Sequence, residues 1–430
     1  MIQEITIKNF LSFKEEVKFS FEASNDKFAD ESQVVKINES TRLLRLAIIY
    51  GYNASGKSNL LKVFEFLSYF WSHNHKDLDA GTKVIPFRLD RQTPKEPSSF
   101  TIIFYAGDVK YKYELILDEH QVILERLSYY KSIQPTKLFE RTLEDGHSVI
   151  QINKIAEKIS AVAEEMIGMN CLKNLSFFVA RNQVNVSLPL IDAAKEWLRD
   201  HIMPVITPPT KLTDYAQQQI SENKGLIKEI VDFLKEADFN ITNISSDLVT
   251  QHLSDDAVRF LTEDDDRNDK ESLEEIERIK RERTLKHFRT TFEHTVENHN
   301  GIEVYQMDKR FESMGTIRTF GIETALHDAM RSEAILPIDE IESSLHPKLL
   351  EKILFEYLKN HSRSQILVTT HNDGLLDLVD DLIRKDSVWF TEKDKSGVTD
   401  LYRLTDFRGV NRLSSIREAY RNKRFGATMR

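Results

Sequence analysis

The sequence GYNASGKS, residues 51–58, fits the pattern GxxxxGK[ST], and its flanking residues predict the local structure. The preceding residues 43–50 are almost all apolar, which predicts a buried strand. In residues 60–67 the apolar side chains recur at helical spacing. A strand, a glycine-containing turn and a helix in this order form a cradle for a phosphate chain. The sequence therefore predicts a phosphate-binding loop; a chance match at an ordinary strand–helix turn is the alternative.

The residue types of this loop suit the binding of phosphate and magnesium. Gly51 and Gly56 let backbone N–H groups turn toward an anion, and the helix N-terminus adds the positive end of its dipole. Lys57 is long enough to reach the terminal phosphates of a nucleotide, and the Ser58 hydroxyl is a candidate magnesium ligand. The predicted nucleotide-binding residues of this segment are Gly51, Asn53, Ala54, Ser55, Gly56, Lys57, Ser58 and Asn59.

Composition limits the class of protein. The 430 residues predict two to three domains, and 40% hydrophobic with 30% charged residues is typical of globular chains. We find no signal peptide and no apolar run of membrane-spanning length, which predicts a cytoplasmic protein without a membrane partner. The single cysteine, Cys171, excludes an internal disulfide framework. The net charge of −10 argues against a generally basic nucleic-acid binder but allows a local basic groove.

The remaining chain shows three kinds of pattern. Residues 2–21 predict a β-hairpin, and residues 100–130 alternate over three runs that predict an antiparallel β-meander. Residues 152–291 have mainly helical periodicity, including a charged run that predicts a solvated loop leading into an exposed helix. Residues 334–371 read strand–helix–strand, which predicts a parallel crossover. The predicted fold class is α/β, with a mixed or parallel sheet, an antiparallel meander and an inserted helical subdomain.

Two predicted strands end in ionisable residues. Asp339 and Glu340 follow the run ILPI, and His371 follows QILVTT. Because ligands bind at the carboxyl ends of parallel strands, we expect these residues to lie beside the phosphate-binding loop. Asp339 would then approach magnesium, and Glu340 would accept a proton from an attacking water. An N-cap role for the Asp-Glu pair, and a simple turn role for His371, are the alternatives.

A second anion-binding turn is predicted at Ser313 and Gly315, which begin a helical pattern. A serine and a glycine at a helix start offer N–H donors to a phosphate, although capping of the helix is the alternative. Since the chain already has one phosphate-binding loop, the second turn suggests a nucleotide held between two chains.

In this order the motifs resemble those of a known family. GYNASGKS looks like Walker A, SMG like the ABC signature, ILPIDE like Walker B, SSLHP like the D-loop and TTH like the histidine switch. The resemblance is to ABC-type ATPases of the chromosome-maintenance and repair branch (SMC, RecF and OLD-like), in the AAA_21 class. Most similar are the AbiLi/RloA phage-defence ATPases, related to the Septu and PARIS ATPases. Leu11 departs from the family, in which a basic residue often follows the motif NF.

The resemblance implies ATP and Mg²⁺ as cofactors and an ATPase dimerised through sandwiched ATP. It implies catalytic roles for Glu340 and His371, and it assigns magnesium to Ser58, Asp339 and Gln183, the last as the candidate Q-loop residue. It also predicts three parts: residues 1–150 and 301–430 as the two halves of the ATPase head, and 151–300 as a helical insertion for dimerisation or partner docking.

The expected function is regulation of a separate nuclease or toxin-like effector by a homodimer or higher homo-oligomer, in anti-phage defence. We expect no nuclease domain in this chain, since about sixty residues follow His371. Two alternatives are a RecF-like DNA-repair ATPase that binds nucleic acid, and a nucleotide-switched scaffold that does not hydrolyse ATP.

Overall fold

The computed structural model describes residues 1–427 apart from 75, 76, 78, 237–239 and 264–269. These residues form two compact units, the first comprising Met1–Thr210 with Asp328–Arg430 and the second comprising Lys211–His327. The strands are β1 (Ile2–Lys8), β2 (Val17–Ser20), β3 (Val34–Lys36), β4 (Arg42–Leu44), β5 (Leu46–Tyr50), β6 (Ser98–Ala106), β7 (Val109–Leu117), β8 (Val122–Tyr130), β9 (Pro135–Glu144), β10 (His147–Ile152), β11 (Ile241–His252), β12 (Thr284–Asn298), β13 (Gly301–Asp308), β14 (Ile335–Ile338), β15 (Gln365–Thr370), β16 (Val388–Lys393) and β17 (Thr399–Arg403). The helices are α1 (Asp30–Gln33), α2 (Lys57–Ser72), α3 (Ala161–Asn170), α4 (Phe177–Arg181), α5 (Pro189–Asp200), α6 (Leu212–Glu222), α7 (Lys224–Glu236), α8 (Asp255–Glu263), α9 (Lys270–Glu282), α10 (Met314–Ser332), α11 (Pro347–Lys359) and α12 (Ile416–Arg421).

A five-stranded mixed sheet in the first unit carries the phosphate-binding loop. Its strand order is β14-β15-β5-β16-β17, parallel except for the antiparallel edge strand β17. Strands β5, β14 and β15 are buried along their whole length, as expected for parallel strands covered on both faces. The carboxyl ends of β5, β14 and β15 therefore lie at one edge of the sheet, because adjacent parallel strands run in the same direction.

A seven-stranded antiparallel sheet forms the other layer of strands in this unit, in the order β10-β9-β8-β7-β6-β1-β2. In β7, every second residue from Tyr111 to Leu117 is buried, which is the period of a strand with one face on a core. The predicted hairpin (β1–β2) and the predicted meander (β6–β8) are present. They belong to a single sheet, which β9 and β10 extend beyond the predicted strands.

Helix α2 links the phosphate-binding loop to the core. Its buried residues include Leu60, Phe64 and Leu67, which repeat at the helical spacing read from the sequence. Helices α4 and α5 both contact α2. Burial of these large apolar side chains, at roughly 1.5–3 kcal/mol each, anchors the helix that follows the loop.

A buried arginine holds α11 against the five-stranded sheet. The Arg45 guanidinium, between β4 and β5, donates to the carbonyl oxygens of Tyr357, at 3.2 Å, and Leu358, at 3.3 Å, and also to that of Asn360. These carbonyls lie at the C-terminal end of α11, where a helix has no further N–H groups to donate to its last carbonyl oxygens. Arg45 therefore supplies the C-terminal hydrogen bonds that this helix lacks.

A second buried arginine ties the antiparallel sheet to the chain that follows it. Arg141 in β9 lies 3.3 Å from Glu125 in β8, and both side chains are fully buried. Arg141 also donates to Ser148 Oγ at 3.0 Å and to the backbone carbonyl of Leu172 at 2.8 Å. The remaining contacts of Glu125 are to the Tyr113 hydroxyl at 2.9 Å, the Ser176 hydroxyl at 2.7 Å and the Phe177 N–H at 2.7 Å.

The second unit combines helices with a three-stranded antiparallel sheet in the order β11-β12-β13. Helices α6 and α7 contact β11, and Phe292 of β12 packs on Phe320 of α10 with ring centroids 5.7 Å apart. Helix α10 begins in this unit, and its residues from Asp328 belong to the first unit.

The α/β class and the mixed sheet predicted from the sequence are confirmed, whereas the expectation of helices throughout 152–291 is incomplete. Helices α3–α9 occupy much of this segment, but β11 and part of β12 lie within it. The exposed helix predicted after the charged run is α9; the loop residues 264–269 lie outside the described part of the chain. The division at residues 150 and 300 stays a prediction. Among the described residues, no helix is both long and apolar enough to cross a membrane.

Candidate nucleotide-binding site

The phosphate-binding loop runs from the end of β5 to the start of α2 and has no space for larger residues at its two glycines. A Cβ atom on Gly51 would lie 2.4 Å from Ser55 Oγ and 2.5 Å from Thr391 Oγ1. Gly56 has φ +110°, and its Cβ would lie 2.4 Å from Thr399 Oγ1. Glycine is therefore required at both ends of the loop for steric reasons, and at Gly56 for backbone conformation as well.

Hydroxyl groups from distant parts of the chain brace this loop. Ser55 Oγ lies 2.7 Å from Thr391 Oγ1 of β16. The Thr399 hydroxyl, in β17, contacts the Ser55 carbonyl at 2.9 Å and Ser12 Oγ at 2.8 Å. Asn59 donates to the same Ser12 oxygen at 2.7 Å. The loop conformation therefore depends on side chains of β16, β17 and the turn after β1.

The Lys57 ammonium lies inside the loop. It donates to the carbonyl oxygens of Gly51 at 2.8 Å and Tyr52 at 3.2 Å, and it lies 3.4 Å from His371 Nδ1. Burial lowers the pKa of Lys57 to about 8, against the opposing charges of Asp339, Glu340 and Glu342. Within the described residues, no carboxylate lies within 4.0 Å of this amine. A buried cation among neutral oxygens favours binding of an external anion.

The acidic strand end lies beside the loop. The Thr369 hydroxyl, in β15, donates to Asp339 Oδ1 at 2.5 Å. The Thr369 hydroxyl oxygen in turn accepts the Glu340 N–H at 2.9 Å. Glu340 has φ +47°, so the backbone turns sharply after Asp339. The Asp-Glu pair does not cap α11, since His346 is the N-cap residue of that helix. The N-cap alternative for Asp339 and Glu340 is therefore excluded.

His371 follows β15 and lies between the lysine and the acidic pair. Its Nε2 is 3.4 Å from Glu340 Oε1, and its Nδ1 faces Lys57 Nζ. Its backbone N–H donates to Glu342 Oε1 at 2.5 Å. The structure thus brings together Lys57, Asp339, Glu340 and His371, which the sequence placed at three neighbouring strand ends.

The other predicted residues occupy varied positions. Asn53 and Ala54 are exposed on the loop, and Ser58 and Asn59 are half-buried in the first turn of α2. Gln183, the candidate Q-loop residue, is exposed directly after α4, and α4 contacts α2. Its assignment to magnesium stays a prediction.

Ser313 and Gly315 belong to the second unit and mark the start of α10. The Ser313 hydroxyl accepts the Thr316 N–H at 3.0 Å and lies 2.8 Å from Thr316 Oγ1. The capping role considered as the alternative is therefore present. These bonds use only the Ser313 hydroxyl oxygen, so they do not test whether Ser313 and Gly315 bind a nucleotide. That role stays a prediction.

Four hydroxyl-bearing residues of the site were missed in the sequence: Ser12, Thr369, Thr391 and Thr399. Thr369 had a detectable signal. The two threonines of the motif TTH point to opposite faces of the strand, so one of them can reach Asp339. Ser12, Thr391 and Thr399 had none, because their contacts join distant parts of the chain: Thr391 lies 336 residues from Ser55, and Thr399 lies 387 residues from Ser12. Leu11, where a basic residue was expected, is half-buried beside Ser12, and its N–H donates to the Ile85 carbonyl at 2.9 Å.

The residues of this edge fit a nucleotide triphosphate with magnesium. The two glycines let the loop close tightly against Ser55, Thr391 and Thr399. The buried Lys57 amine supplies positive charge to phosphate oxygens. Asp339 supplies a carboxylate, the type of oxygen ligand that magnesium prefers, next to the first turn of α2 where Ser58 lies. A strand, a phosphate-binding loop and an acidic neighbouring strand end define the class of P-loop nucleotide triphosphatases.

A family model described as "AAA domain, putative AbiEii toxin, Type IV TA system" matches residues 46–157 and 208–377, more than half of the chain. The chain belongs to this family and is a P-loop ATPase. Among solved structures it is similar to an SMC head domain from Thermotoga maritima, with 11% identity, TM-score 0.39 and coverage of 94% of this chain and 98% of that one. It is also similar to an SMC head bound to the C-terminal winged-helix domain of ScpA, with 11% identity, TM-score 0.44 and coverage of 98% and 99%. Curated proteins give no significant sequence match.

Proposed function

We propose that this chain hydrolyses ATP as an ABC-type dimer in which each nucleotide lies between two chains. The observation that carries the proposal is the buried Lys57 amine, which lies among neutral oxygens and faces an edge formed by Asp339, Glu340 and His371. A purely structural lysine in such a position would be expected to have a carboxylate partner.

In this mechanism the residues of one chain bind and orient the nucleotide. Lys57 and the backbone N–H groups of the loop bind the phosphates, while Ser58 and Asp339, with Gln183, hold magnesium. The metal ion, when bound, supplies positive charge that neutralises the phosphate oxygens. Glu340 accepts the proton of the attacking water, and His371 donates a hydrogen bond to the terminal phosphate.

The second chain completes the site in this proposal. Ser313 and the N–H group of Gly315 would contact the terminal phosphate of the nucleotide held by the other chain, through the start of α10. ATP then joins the two chains, and hydrolysis weakens the contact because the terminal phosphate leaves.

The test of this function measures ATP turnover and molecular mass in solution for the wild type and Glu340→Gln. We expect turnover to fall by about 100-fold or more, because the general base is lost, and the variant to stay dimeric with ATP and magnesium. Glu351→Gln, an exposed residue of α11, is the matched control and should behave as the wild type. Unchanged turnover in Glu340→Gln would remove Glu340 from the mechanism, and a mass insensitive to ATP would argue against the sandwich.

A mixing experiment tests whether two chains share one site. Lys57→Met and Gly315→Asp should each be inactive alone. The first variant loses the amine that binds the phosphates, and the second places a carboxylate in the first turn of α10. When the two variants are mixed, a mixed dimer has one site with both parts intact, so part of the turnover should return. Failure of the mixture to recover turnover, with both variants folded, would contradict a shared site.

We further propose that the ATPase controls a separate effector in anti-phage defence, within the AbiLi/RloA group. The family description, which includes a putative toxin of a toxin–antitoxin system, supports a defence setting. If a second protein carries the destructive activity, cells that express this chain alone should grow normally. Growth arrest by this chain alone, abolished by Lys57→Met, would place the toxic activity within it.

A further inference from the structure

Glu342 lies three residues after Asp339, and its side chain is directed at the end of the neighbouring strand. Its Oε1 accepts the backbone N–H of His371 at 2.5 Å. This bond joins the turn after β14 to the first residue after β15. The position of the histidine in the site therefore depends on a carboxylate to which the sequence assigned no role.

The His371 ring needs such support, because its own contacts are long. Its two nitrogens lie 3.4 Å from Lys57 Nζ and 3.4 Å from Glu340 Oε1. At these distances neither contact is a strong hydrogen bond. The hydrogen bond from the His371 backbone N–H to Glu342 therefore helps to fix the position of the backbone that carries the ring.

The second oxygen of Glu342 shows that the side chain is not placed for stability alone. Oε2 is buried and has no hydrogen-bond partner among the described residues. The hydroxyl of Tyr50, at the end of β5, is also buried without a partner; burial and then the charge of Glu342 raise the pKa of this tyrosine well above its usual value. A buried carboxylate oxygen without donors costs stability, so packing alone does not favour a carboxylate at position 342.

We propose that Glu342 is a positioning residue for ATP hydrolysis: it holds the His371 backbone so that the ring stays between Lys57 and Glu340. It acts through His371 and does not contact the reacting atoms. The inference rests on the proposed ATPase function and adds a residue to the same site.

The experiment measures kcat, the ATP dissociation constant and the melting temperature for Glu342→Ala and Glu342→Gln. We expect Glu342→Ala to lower kcat by about 10- to 100-fold, as for other residues that orient a functional side chain, with ATP affinity changed less than about threefold. Glu342→Gln should recover most of kcat, since an amide oxygen also accepts the His371 N–H. Glu351→Ala is the control for removal of an exposed glutamate from the same region.

A double-mutant cycle separates positioning from a general structural effect. In a His371→Ala background, Glu342→Ala should lower kcat by less than about twofold, because the ring that Glu342 orients is already absent. A full additional loss in that background, or a wild-type kcat in Glu342→Ala, would overturn the inference while leaving the ATPase function intact. Absence of ATP turnover in the wild type would overturn both.

Discussion

Charged side chains are buried in two regions of the first unit, the antiparallel sheet and the phosphate-binding edge, and their partners differ. In the sheet, Arg141 lies against Glu125, and both use their other polar atoms on hydroxyls and backbone groups. At the edge, the Lys57 ammonium contacts backbone carbonyls and a histidine ring, and the nearby Asp339 bonds to a threonine instead.

This difference indicates that the Arg141–Glu125 pair contributes to folding, whereas the Lys57 charge contributes to binding. The sheet pair is neutralised within the protein, so removal of one member leaves the other buried and unpaired. The lysine at the edge has no carboxylate in contact among the described residues, so its charge is available to an anion. Arg141 should therefore control stability, and Lys57 should control nucleotide binding.

The largest expected effect is on stability. Arg141→Met should lower the free energy of unfolding by about 3–5 kcal/mol, because Glu125 stays buried without its partner. Chemical denaturation of the wild type and the variant measures this loss. Lys137→Met, an exposed lysine on the same strand, should change stability by less than about 1 kcal/mol. Equal losses in the two variants would show that burial of the Arg141 pair has no special importance.

Lys57→Met should show the opposite behaviour. Turnover should fall by about 100- to 1000-fold, since a preorganised positive charge on the phosphates is lost. Stability should be unchanged or higher: the pKa of Lys57 is lowered to about 8, so the folded state disfavours its charged form, and this cost is fully present below pH 8. Lys62→Met, on the exposed side of α2, is the matched control. Strong destabilisation by Lys57→Met would place Lys57 with Arg141 as a structural charge.

The smallest expected effect comes from a half-buried ion-pair cluster formed by Asp373, Arg417 and Arg421. Burial opposes ionisation of Asp373, but Arg421 and Arg417 hold its pKa below the usual value. Its contribution to stability should therefore be present above pH 4 and disappear as the pH falls through its lowered pKa. Asp373→Asn should cost about 0.2–1 kcal/mol at pH 7 and nothing in strong acid. A pH-independent loss, measured by thermal unfolding at several pH values, would contradict this assignment.

Much of the fold could be predicted from the sequence wherever one periodicity dominated. The strand β5, the loop and α2 have a fully apolar run, two glycines and helical spacing in succession, and all three are present. The strand predicted over residues 43–50 is divided at Arg45 into β4, which pairs with β3 in a separate sheet, and β5 of the five-stranded sheet. The strands β14 and β15 were recognisable for the same reason. Their ionisable ends, Asp339 and His371, lie at one edge because parallel topology leaves no other arrangement.

Other elements could not be found in this way. In β9 an arginine, Arg141, occupies a buried position, and in β10 only Ile152 is buried, so the apolar alternation is weak in both strands. Strand β11 is mostly exposed and lacks an apolar face along much of its length. Strand β12 did carry a signal, because Phe288, Thr290 and Phe292 alternate with polar residues, a pattern that is typical of a strand. The hydroxyl braces of the loop have no sequence signal, because each depends on a contact between opposite parts of the chain.

The contact between Ser12 and Thr399 can form only late in protein synthesis. The two residues are 387 positions apart, so the loop and α2 leave the ribosome long before their last hydroxyl partner exists. At roughly 5–20 residues per second, that interval is on the order of 20 s to more than a minute. We therefore expect the phosphate-binding loop to gain its full set of hydrogen bonds, and with them its nucleotide affinity, only near the end of synthesis.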